Sequence, residues 1–135
     1  MFKKTSHFFP IVLMFFVTAN ADAKEDAKKQ DNLSKEAIES QFESSKKVCE
    51  QKKEQLKEVC LVEAEGNRDV AKAKLKAEAD PTLENRVDYR VAVAEAKYSL
   101  SIKKCQTSKT RPECMHKAQV LRDKETEDAR AVRHE

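Results

Sequence analysis

The sequence predicts an all-α fold, two disulfide-stapled helical hairpins following a cleaved signal peptide, and three observations carry that prediction. Composition is the first: charged residues make up 38% of the 135 and aromatics 6%, with no Trp, one Gly and three Pro. That is the profile of long Ala/Glu/Lys-rich helices rather than of a sheet. The second is a firm break at "ADPTLE", where the chain must leave one helix and enter another. The third is the set of four cysteines, Cys49, Cys60, Cys105 and Cys114, two on each side of that break.

Taken in order, residues 1–23 read as a signal peptide. Lys3 and Lys4 form a positive start, and "FFPIVLMFFV", Phe8 to Val17, is apolar but too short to span a bilayer. Ala19-Asn20-Ala21 or Ala21-Asp22-Ala23 offers the cleavage site, so the mature chain is expected to begin near Asp22 or Lys24. With no Cys near that site, no lipid anchor is expected. Residues 24–34, "KEDAKKQDNLS", lack an apolar period and are expected to form a disordered lead-in.

Helical periodicity starts at Lys35 and divides the remainder into two units, 35–79 and 80–131. A first helix is expected over 35–52, with Ile38, Phe42 and Cys49 on one face, and a second over 56–79. The second contains Gly66, which either costs the helix interior ~1 kcal/mol relative to Ala or marks a real break. Asp80 reads as an N-cap with Pro81 at the first helical position, opening a third helix over 81–106. Its stripe of Leu83, Val87, Val91, Ala94, Tyr98, Ile102 and Cys105 is the clearest in the chain. "TSKTRPEC" then reads as a turn capped by Ser108 or Thr110, with Pro112 early in a fourth helix over 112–130. That helix presents Met115, Ala118 and Leu121, then fades into charge.

An even number of cysteines in an exported chain reads as disulfides before metal ligands. Two pairings compete. The heptad spacing of Phe42, Cys49 and Leu56 favours one continuous helix, which would hold Cys49 and Cys60 about 16 Å apart, far beyond disulfide reach. The chain would then fold back at Pro81 and pair Cys60 with Cys105 and Cys49 with Cys114, an arrangement that resembles the twin cysteine-motif helical hairpins. An internal repeat favours the other pairing. With Cys49 set on Cys105, Phe42 falls on Tyr98, Glu39 on Glu95, Ser45 on Ser101 and Lys47 on Lys103. With Cys60 set on Cys114, Ala64 falls on Ala118 and Arg68-Asp69 on Arg122-Asp123. The register slips by two residues only between the cysteines. Inside a helix such a slip rotates everything after it by roughly 200°, whereas a loop absorbs it at little cost. The repeat therefore favours Cys49–Cys60 with Cys105–Cys114, although "QKKEQL" itself does not look like a turn.

The stretch "CEQKKEQLKEVCLVEAEGNRDVAKAK" resembles a unit found in small exported Ala/Lys/Glu-rich cysteine-pair repeat proteins of Gram-negative bacteria. In these, two cysteines about ten residues apart precede "VxEAxGxRxVAKA". Cys49, Cys60, Val62, Glu63, Ala64, Gly66, Arg68, Val70, Ala71, Lys72 and Ala73 match the unit. The second unit has a shorter cysteine loop and no Gly. The resemblance, from about Ile38 to Ala131, implies export and paired cysteines, and no activity.

No catalytic residue is expected, because the chain has no nucleophile elbow, phosphate loop, zinc-protease motif or Cys-x-x-Cys. "CMH", Cys114-Met115-His116, offers soft ligands to copper, but a disulfide sulfur is no thiolate and Met115 fits a core position. No metal and no cofactor are therefore expected. The formal charge of +3 falls to +2 once Lys3, Lys4 and Asp22 leave with the leader. Bases and acids are interspersed, so no nucleic-acid footprint is evident, nor is a small-molecule substrate. The expected role is that of a periplasmic or secreted structural or interaction protein, its partner an envelope protein or a second copy of itself. The alternative is a stress or holding protein of the same compartment.

Overall fold

The computed structural model describes residues 20–131; the signal peptide expected over 1–23 falls almost wholly outside them. Four helices follow one another: α1 Asn20–Glu50, α2 Glu54–Ala79, α3 Leu83–Cys105 and α4 Arg111–Ala131. There is no strand among the described residues. Packing runs between chain neighbours, α1 on α2, α2 on α3 and α3 on α4.

Helix α1 begins earlier than its apolar period. Residues 24–34, expected to be disordered, are helical. Their composition of Ala, Lys, Glu, Asp and Gln tolerates helix, so a helix anchored from Ile38 onward extends back through them. Asp31 and Lys35 add an i,i+4 ion pair at this end.

The break between the units uses a different cap from the expected one. Asp80 closes α2, its N–H donating to the Lys76 carbonyl at 2.9 Å. The N-cap of α3 is Thr82, whose hydroxyl accepts from the Asn85 N–H at 3.2 Å. Pro81 therefore stands before the cap, outside the helix. Asp80 is engaged elsewhere: the buried Asn85 amide donates to its carboxylate at 3.0 Å and to its carbonyl at 2.8 Å. One side chain thus ties the end of α2 to the start of α3.

Gly66 is not a break. Helix α2 runs through it without interruption. A Cβ at this position would lie 3.0 Å from the Ala96 Cβ and 3.5 Å from the Ala96 Cα. The glycine lets α2 and α3 approach closely at Ala96, a use of the missing side chain that offsets its helix cost.

The core is thin and built from small side chains. Its buried apolar members are Cys49, Ala64, Val87, Ala94, Cys105, Ala118 and Ala129. Val87, Ala94 and Cys105 belong to the stripe expected of α3, but Leu121 of α4 is half-exposed. Burial on α4 continues instead through Thr126 and Ala129, in the part that reads as fading charge. The Thr126 hydroxyl donates to the Arg122 and Asp123 carbonyls, both at 2.9 Å, so its burial leaves no polar atom orphaned.

Candidate functional site

Both hairpins are closed by their own cysteines: Cys49–Cys60 with a Cα separation of 5.4 Å, and Cys105–Cys114 with 5.6 Å. These separations lie within the usual disulfide range. The nested pairing does not occur. Two such bonds mark a chain that matures in an oxidising, extracytoplasmic setting.

The two turns are built differently. In the second, Gln106 to Thr110, hydrogen bonds organise the chain: Ser108 N–H donates to the Cys105 carbonyl at 3.0 Å, and the Ser108 hydroxyl accepts from Thr110 N–H at 3.2 Å. Pro112 follows as the second residue of α4. The first turn spans only Gln51, Lys52 and Lys53. Lys52 N–H donates to the Cys49 carbonyl at 3.0 Å, and Lys53, the N-cap of α2, makes no side-chain cap bond. Nothing local prescribes this turn, so the covalent bond selects it.

The same difference accounts for the two-residue slip. Cys60 is the seventh residue of α2, whereas Cys114 is the fourth of α4. The first hairpin therefore has the shorter loop but a helix that overhangs its staple, and Leu56 on that overhang is 65% exposed. The helical part between the cysteines is four residues longer than in the second hairpin and the loop two residues shorter, so the slip lies in the helix and not, as the sequence suggests, in the loop.

A missing cap makes a direct prediction. Lys53→Ser supplies an oxygen acceptor at the N-terminus of α2, which is expected to stabilise the fold by about 1 kcal/mol. Thermal unfolding followed by circular dichroism should show the midpoint rise by a few degrees. Lys53→Ala should leave it unmoved.

Below each disulfide, the residues aligned by the repeat meet in space. The Arg68 guanidinium lies over the Phe42 ring, 4.4 Å from its centroid, and Arg122 lies over Tyr98 at 4.5 Å. Asp69 and Asp123 hold these arginines through short ion pairs of 2.8 and 2.7 Å. Hydrogen bonding to that neighbouring carboxylate raises each arginine above its ordinary pKa. Glu39 pairs with Lys72, while Glu95 lies 4.0 Å from Arg122. Each cluster joins the two helices of a hairpin about two to three turns from the staple. With its arginine locked on an aromatic face and neutralised, the cluster clamps the hairpin.

Among the described residues, no group of three or more His, Cys, Asp or Glu side chains is placed to hold a metal ion. Cys114 is in its disulfide, Met115 is half-buried and His116 is exposed. An open groove of about 350 Å³ runs beside the first disulfide, lined by Gln41, Ser44, Val48, Glu63 and Asn67. No described helix is long and apolar enough to cross a membrane. Comparison with protein-family models, with curated proteins and with solved structures finds no match. The chain's own geometry defines its class: an all-α protein of two disulfide-stapled helical hairpins.

Proposed function

We propose that this chain is an exported, periplasmic structural or interaction protein that acts by presenting charged helix faces and has no catalytic role. The observation that carries the reading is the pair of local disulfides in a chain whose start has the pattern of a secretory signal. Apolar burial is spent on seams between neighbouring helices, and both outer helices keep a broad solvated face. Ion pairs of Lys76 with Asp88 at 3.4 Å and Lys103 with Glu58 at 2.7 Å join α2 to α3, and Lys97 with Glu125 at 2.9 Å joins α3 to α4. Exposed pairs of this kind contribute about 0–1 kcal/mol each and serve mainly to keep the faces soluble. The unit matching about the two cysteine pairs supports descent of both hairpins from one repeated module.

N-terminal sequencing of the protein from fractionated cells tests the reading. The expected product begins at Asp22 or Lys24 and appears in the periplasmic fraction. A chain that retains Met1 and stays in the cytoplasm overturns it. Suppression of client aggregation in a light-scattering assay would favour a holding role instead.

A further inference from the structure

The antiparallel order of the helices brings two distant basic stretches to one end of the molecule. The turns at 51–53 and 106–110 both lie there, and the bond from Lys103 to Glu58 at 2.7 Å joins the hairpins beside them. Residues 46–58 and 103–113 together hold nine Lys or Arg and four Glu. That excess of five exceeds the +3 of the whole chain, so the remainder is net acidic. In the linear sequence the two stretches are separate and each is interspersed with acids, which hides the asymmetry.

Most of these cations are free to act on something else. Lys46 pairs with Glu43, and Lys103 with Glu58. Among the described residues no ion pair is found for Lys47, Lys52, Lys53, Lys104, Lys109 or Arg111, and all six are exposed. Two large apolar side chains stand at the same end, Val48 at 57% exposed and Leu56 at 65%. Leu56 is there because α2 overhangs its staple. A rigid end with exposed lysines, an arginine and two protruding aliphatic groups has the chemistry of an interfacial surface.

We propose that this disulfide-closed basic end docks on the surface of an anionic phospholipid bilayer. The cations meet phosphate headgroups, and Val48 and Leu56 enter the boundary between headgroups and acyl chains. The aliphatic pair distinguishes this occupant from a nucleic acid, which would be met by cations and stacking aromatics; among the described residues the aromatics nearest this end, Phe42 and Tyr98, are covered by arginines. The proposal deepens the interaction reading by naming the partner. It is separable from that reading, because the N-terminal sequence and cell fraction do not depend on lipid binding.

Co-sedimentation with vesicles tests it, using the protein isolated from cells with both disulfides intact. Vesicles of about one-third phosphatidylglycerol in phosphatidylcholine should bind it, and vesicles of phosphatidylcholine alone should not. Binding should vanish in salt on the order of 1 M, where screening shortens to about 3 Å. Each cation near such a surface contributes about fivefold. The variant K52Q/K53Q/K109Q/R111Q should therefore bind at least a hundredfold more weakly with an unchanged helical spectrum. A control that loses four cations away from the turns, K29Q/K74Q/R86Q/K124Q, should bind within a few-fold of the parent. V48S/L56S should weaken binding while keeping its salt dependence. Equal losses in the two quadruple variants, no preference for anionic vesicles, or tighter binding to a duplex oligonucleotide would each overturn the proposal.

Discussion

Removing the first disulfide, by Cys49→Ala with Cys60→Ala, is expected to open the hairpin between α1 and α2 and to lengthen the helix through residues 50–54. Closing a loop of this size contributes roughly 3 kcal/mol in the chain-entropy model. The core offers little in compensation, since its buried members are mostly Ala and Cys. In small domains whose whole stability is of order 5–15 kcal/mol, such a loss is severe. It should lower the thermal midpoint by about 10–20 °C. The second disulfide is expected to matter differently. Removing Cys105 and Cys114 costs a similar entropy, but Ser108, Thr110 and Pro112 still specify the turn, so α3 and α4 should stay antiparallel. Hydrogen exchange distinguishes the two cases. Amides of Gln51 to Glu54 should gain protection when the first bond is lost, while the protection of Gln106 to Thr110 should not rise when the second is lost.

The other large effect is expected at Gly66. Leu placed there would put its Cβ 3.0 Å from that of Ala96 and add three further carbons beside a contact that is already tight. Both helices are regular at this crossing, so relief requires α2 and α3 to separate. Overpacking of this kind costs about 1–3 kcal/mol, against a gain of up to ~1 kcal/mol in helix propensity. The damage should be confined to the seam between the units: each hairpin stays stapled while contact between them loosens. Gly66→Ala should be close to neutral, and Gly66→Ala with Ala96→Gly should be more stable than the sum of the single changes, because the methyl group merely changes sides. Denaturant unfolding of the four proteins measures that coupling.

Much of this architecture could be read from residues whose physical meaning is local. Pro81 cannot sit in the middle of a helix, so the break at 80–82 is visible. The register of Phe42 with Tyr98 and of Arg68 with Arg122 about the cysteines places the staples, but it leaves Phe42 and Tyr98 reading as core residues and does not show the arginines that cover them. What the sequence hid depends on competition or on distance. Asp80 and Thr82 are both good caps one residue either side of Pro81, and the choice falls to Thr82 because Asn85 engages Asp80. Gly66 has two local meanings, and only the opposing Ala96, thirty positions on, selects between them. The turn at 51–53 leaves no trace in "QKKEQL", since a covalent bond rather than a turn residue makes it. The basic end arises only when α2 and α3 run antiparallel and bring Lys52 and Lys53 to the same end of the molecule as Lys109 and Arg111.

That each hairpin is held by its own disulfide is tested most directly by peptide mapping of the protein from cells, alkylated and cleaved without reduction. Trypsin can cut at Lys52, Lys53 and Lys57 between the first pair, at Lys109 between the second, and at many sites between the two units. The expected linked fragments join Cys49 to Cys60 and Cys105 to Cys114, with no alkylated cysteine. A fragment linking Cys49 to Cys114 or Cys60 to Cys105, or four alkylated thiols, would contradict the account.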